Sequence, residues 1–83
     1  MYKVEVIPSA QKDLNNLEKK VFIKIKDKID SLKSDPRLSN CLKLTFEEGY
    51  RIRSGDYRIL YRIDDKNKTL YIYRIKHRKE SYL

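Results

Sequence analysis

At 83 residues the chain has room for one domain with one modest core, and none for a separate catalytic module or cofactor domain. Lys and Arg outnumber Asp and Glu by 20 to 12, so the net charge of +8 and the pI near 9.6 direct the chain toward a polyanion such as nucleic acid, an acidic protein or a membrane surface. Cys41 stands alone beside a single histidine, which excludes an intrachain disulfide and a structural zinc site, and no apolar run approaches the roughly 18 residues of a membrane span.

The segment Tyr2 to Ile7 alternates, with Tyr2, Val4 and Val6 on one face and Lys3, Glu5 and Ile7 on the other. It lacks the cationic start and apolar stretch of a signal peptide and reads as a strand stopped by Pro8, so a soluble, cytoplasmic protein is expected. Ser9 is the expected N-cap of a first helix carrying Ala10, Leu14 and Leu17 at helical spacing. After a join near Glu18–Lys20, Phe22, Ile25, Ile29 and Leu32 form the apolar stripe of a second helix. Ser34-Asp35-Pro36 ends it, because a residue before proline is pushed out of the α region. Residues 37–48 read as a connector with scattered apolar anchors. Three strands follow, over Tyr50–Arg53, Tyr57–Ile63 and Thr69 to about Lys76, separated by Ser54-Gly55-Asp56 and by residues 64–68. The expected fold is α+β in the order β-α-α-β-β-β. An N-terminal strand and an antiparallel three-stranded meander share a sheet, and a helical hairpin packs on one of its faces.

Arginine is unevenly placed. Residues 1–40 hold eight of thirteen lysines but only Arg37 among seven arginines, and the other six fall between Arg51 and Arg78. Guanidinium binds phosphate through a planar fork, so this clustering is more informative than the net charge. Strand parity places Tyr50, Ile52, Tyr57, Ile59, Tyr61 and Ile63 on one face and Arg51, Arg53, Arg58 and Arg62 on the other. Asp56 sits in the turn, and no Asp or Glu interrupts the strand residues of 50–63. An antiparallel sheet commonly keeps one wet face, but like charges across strands are destabilising, so the stripe reads as an anion-binding surface. The third strand is apolar on both faces over residues 70–73, which leaves its orientation open. Regular alternation would place His77 opposite Arg78.

The run Tyr50-Arg-Ile-Arg-Ser-Gly-Asp-Tyr-Arg-Ile-Leu-Tyr-Arg-Ile-Asp64, followed by a strand and Ile75-Lys-His-Arg-Lys-Glu-Ser-Tyr82, resembles the RelE/ParE toxin superfamily, and within it the RelE-like mRNA interferase branch. Length and element order resemble the family over the whole chain, residues 1–83, and the specific part is residues 50–82. The resemblance implies a toxin paired with a small RelB-like antitoxin, acting at the ribosomal A site and cleaving mRNA there without a metal or other cofactor. It carries the basic catalytic positions to Arg51, Arg53, Arg58 and Arg78, and a C-terminal tyrosine to Tyr82. Relatives carry lysine where this chain has Arg51 and Arg53.

Cleavage by a 2′-OH requires a base for its proton, cations for the phosphorane, and an acid for the 5′-oxygen. Arginine serves as cation but cannot serve as base. Tyr82, if nearby arginines lower its pKa, and His77, which starts near 6.5, are the two candidates for proton transfer. The Glu47–Glu48 pair reads as a solvated loop edge and, failing that, as the missing base. Two other functions fit the same surface: a ParE-like toxin that inhibits DNA gyrase without chemistry, and a non-catalytic RNA-binding module.

Overall fold

Pro8 both stops the first strand and starts the first helix. Proline has no N–H to continue a ladder, yet its fixed φ suits the first helical position. In the computed structural model, which describes residues 1–45 and 48–79, β1 is Lys3–Val6 and α1 runs Pro8–Asn15. Ile7 is the N-cap of α1, two residues before the expected Ser9. The Ser9 hydroxyl instead donates to the Tyr73 carbonyl at 2.8 Å, because α1 lies against a strand edge that needs partners. The second helix, α2, spans Lys19–Ser34. It is followed by the two-residue strand β2, Leu42–Lys43, which was not anticipated, and by β3, Tyr50–Ser54. Strands β4, Tyr57–Asp64, and β5, Thr69–His77, complete the meander.

These strands form one sheet in the order β1-β5-β4-β3-β2. Strand β1 joins β5 in parallel, and the other pairings are antiparallel. The parallel join is possible because two helices intervene between the partners, as a crossover requires.

Both helices cover one sheet face. Ala10, Leu14, Ile25, Ile29 and Leu32 form one core cluster with Ile52, Ile59, Tyr61, Leu70, Ile72 and Ile75. Phe22, at the start of the expected stripe, remains 37% exposed. An isolated helix of eight residues, such as α1, is marginal in water. Packing therefore holds it, each fully buried apolar side chain contributing roughly 1.5–3 kcal/mol.

Candidate functional site

On the sheet face turned away from the helices, pairing places three cations side by side across three strands. Arg53 of β3 stands opposite Arg58 of β4, and Arg58 stands opposite Lys76 of β5. Arg58 is the middle one and retains only 8% exposure. Arg51 lies two residues back along β3, between Leu42 of β2 and Leu60 of β4. Arg51, Arg53 and Arg58, with Asn40 and Leu42 from the connector, line a concavity of about 270 Å³. Like charges directly across a sheet repel, and an anion seated among them is attracted by all three. Each guanidinium only donates, and together they present a donor array suited to a phosphate.

Lys76 reaches this face through a β-bulge. Tyr61 pairs with Ile72 while the adjacent Leu60 pairs with Arg74, so Tyr73 is the extra residue of β5. Beyond it the parity resets. Ile75 and His77 share the helix face with Leu70 and Ile72, while Arg74 and Lys76 take the other face. The regular alternation expected for β5 is therefore wrong after Ile72. His77 pairs with Tyr57 and meets its ring edge-on at 5.0 Å, on the opposite face from Arg58. Its Nδ1 accepts the Lys79 N–H at 3.1 Å.

The other expected site residues divide in the same way. The Arg78 N–H donates to the Asp56 carbonyl at 2.6 Å, which fixes Arg78 beside the turn that joins Arg53 to Arg58. Arg62, the fourth arginine of the stripe, is drawn off toward the far end of the sheet, its guanidinium 5.0 Å from the centre of the Tyr73 ring. Tyr82 and Glu47 lie outside the described residues. Glu48 borders two other depressions, with Arg62 and Ile63, and is not among the residues lining the arginine concavity. Lys76 and Asn40 escaped the sequence reading. A bulge has no reliable local signature, and Asn40 sits in a connector without periodicity.

The connector is held firmly where it leaves α2. The Tyr61 hydroxyl donates to the Pro36 carbonyl at 2.7 Å. Burial pushes that phenol well above its ordinary range, so Tyr61 stays protonated and is a tether rather than an acid or base. Arg37 grips Asp65 with both terminal nitrogens, at 3.2 and 2.8 Å, and lies over the Tyr50 ring. The Tyr2 hydroxyl donates to the same carboxylate at 2.6 Å. These hydrogen bonds, from Arg37 first and then Tyr2, hold the Asp65 carboxyl down to about 2. At its other end the connector enters the sheet through β2, so Asn40 and Leu42 are presented by an anchored segment.

The family described as ParE toxin of the type II toxin-antitoxin system, parDE, matches residues 4–82. Toxin RelG of Mycobacterium tuberculosis is 31% identical over 83 residues, covering 98% of this chain and 95% of that protein. The toxin–antitoxin complex RelBE2 of M. tuberculosis contains a similar chain, with TM-score 0.83, 32% identity, and coverage of 93% of this chain and 98% of that one. The archaeal RelE–RelB complex of Pyrococcus horikoshii follows at TM-score 0.80 and 30% identity, covering 93% and 94%. With nearly its whole length matched in sequence and fold, the chain belongs to the RelE/ParE family of toxins of type II toxin-antitoxin systems.

Proposed function

We propose that this toxin is an endoribonuclease that cleaves mRNA in the ribosomal A site. The observation that carries the reading is the arginine concavity, with Arg58 set between Arg53 and Lys76. In this reaction the 2′-oxygen attacks the adjacent phosphorus, the bond from phosphorus to the 5′-oxygen breaks, and a 2′,3′-cyclic phosphate and a free 5′-hydroxyl remain. Arg51, Arg53 and Arg58 hold the phosphate and stabilise the charge that grows on its oxygens in the phosphorane. Arg78, tied to the adjoining turn, adds a further cation.

Proton transfer falls to Tyr82, whose phenol becomes a usable base if arginine side chains stabilise its anion. His77, on the helix face, fits a positioning role better than direct transfer. Its bond to the Lys79 N–H holds the backbone that leads toward Tyr82. The expected partner is a RelB-like antitoxin, since several relatives of known structure are toxin–antitoxin complexes. An acidic or amphipathic segment suits the +8 surface.

The test is primer extension on a defined message in translating ribosomes. Added protein is expected to cut within the A-site codon and to leave free RNA largely intact. Intact message at saturating protein overturns the reading. Inhibition of gyrase supercoiling in the same preparation would then assign the ParE-like alternative. Tyr82→Phe is expected to lower the single-turnover rate and leave ribosome binding unchanged.

A further inference from the structure

The arginine concavity has a rim of different chemistry from its floor. Among its lining residues, Asn40 is neutral and offers both a donor and an acceptor, and Leu42, two residues on, is apolar. Leu42 is 54% exposed, one of the few large apolar side chains left open among the described residues, and it pairs with Arg51 at the edge of the sheet. A phosphate can take the Asn40 amide N–H but has no use for its acceptor oxygen or for the apolar Leu42, since it needs only donors. A nucleobase has use for both, because it combines an apolar face with an edge of donors and acceptors. The separation also fits: a base lies one sugar away from its phosphate, and this rim adjoins the guanidinium floor within the same concavity of about 270 Å³.

We infer that Asn40 and Leu42 form a nucleobase seat, where the base adjoining the bound phosphate packs its face on Leu42 and pairs its edge with the Asn40 amide. The inference rests on the proposal that the arginine concavity holds an RNA phosphate, and it assigns sequence preference to the toxin's own residues. The seat is rigid enough to discriminate, because the connector is tethered by Tyr61 to the Pro36 carbonyl and by Arg37 to Asp65 before Asn40, and enters the sheet at Leu42 after it. An asparagine amide pairs with an adenine edge through two bonds, which makes adenine the expected preference. A bidentate contact of this kind discriminates by about tenfold or more against a wrong base.

The test uses the full chain and four short single-stranded RNAs that differ in one base, each with a 2′-deoxy sugar at the scissile position to block cleavage. Affinities are read by fluorescence anisotropy, with circular dichroism confirming the fold of each variant. The wild-type chain is expected to prefer one base by about tenfold. Asn40→Ala is expected to level the four affinities, and Leu42→Ser to weaken all four by a few fold. Arg53→Ala reports on the phosphate contact separately and is expected to weaken all four without changing their ratios. Equal wild-type affinities, or a preference that survives Asn40→Ala, overturn the seat while a loss in Arg53→Ala keeps the phosphate site. If Arg53→Ala changes nothing, the phosphate site fails and the seat fails with it. If the rim variants leave RNA binding intact and weaken only a complex with the cognate antitoxin, the rim is a protein contact and the inference is wrong.

Discussion

One carboxylate oxygen of Asp13 accepts the Ile75 backbone N–H at 2.8 Å and the Arg74 Nε–H at 2.9 Å. The pairing of β1 with β5 runs only to Ile72. Past that point α1 takes over the edge with side chains: Ser9 bonds the Tyr73 carbonyl and Asp13 the Ile75 N–H. The residues so supported are those of the bulge that turns Lys76 toward Arg58.

Asp13→Ala is therefore expected to destabilise the domain by about 1–3 kcal/mol, the usual cost of stranding a buried donor. A domain of this size loses roughly 4–8 °C of Tm per kcal/mol. Asp13→Asn keeps an acceptor for Ile75 and is expected to lose less. Calorimetry on both variants checks the order, and equal losses would show that charge rather than the backbone bond matters.

Arg58 separates the binding role from the structural one. Arg58→Ala is expected to lower the cleavage rate about 10²–10³-fold, as the loss of one transition-state donor does. Its Tm is expected to shift by only a few degrees, because the substitution also removes a repulsion with Arg53 and Lys76. Arg58→Lys keeps the charge without the fork and is expected to recover part of the rate. A large fall in Tm for Arg58→Ala would make the residue structural.

The acid limb of stability has an identifiable source in Asp65. Its folded pKa of about 2 lies below the ordinary carboxylate value near 3.9, so its contribution is present above about pH 4 and disappears as pH falls toward 2. Arg37→Ala is expected to remove that dependence. Urea midpoints for the two proteins should differ at pH 6 and converge near pH 2. A constant difference across this range would exclude the Arg37–Asp65 pair as its origin.

Two glycines make a contrast. Gly49 has φ of +133°, and a methyl group there would lie 3.0 Å from the Tyr61 carbonyl oxygen and 3.1 Å from the Tyr73 hydroxyl. Gly49→Ala is expected to cost roughly 1–3 kcal/mol through strain at this φ. Gly55, at φ +60°, faces open space, and Gly55→Asn is expected to be tolerated because asparagine visits the left-handed region. Urea denaturation of the pair checks the difference.

Local patterning alone determined much of this protein. The alternation in Tyr50–Ile52 and Tyr57–Ile63 separated a helix-facing row from an arginine row, since a strand's side chains alternate whatever the sheet around them. The stripe of Ile25, Ile29 and Leu32 likewise placed the buried face of α2. The run from Tyr50 to Asp64, with His77-Arg78 and Tyr82, was sufficient to suggest the family. Tertiary structure decided what depends on residues distant in sequence. The bulge at Tyr73 is set by the competing demands of β4 on one side and α1 on the other, and it put Lys76 rather than His77 beside Arg58. Asn40 joined the arginines only because β2 adds to the edge of β3. The arginine stripe itself was legible in the sequence; its division into a three-arginine concavity and an outlying Arg62 stacked on Tyr73 required the folded sheet, where cross-strand neighbours first meet.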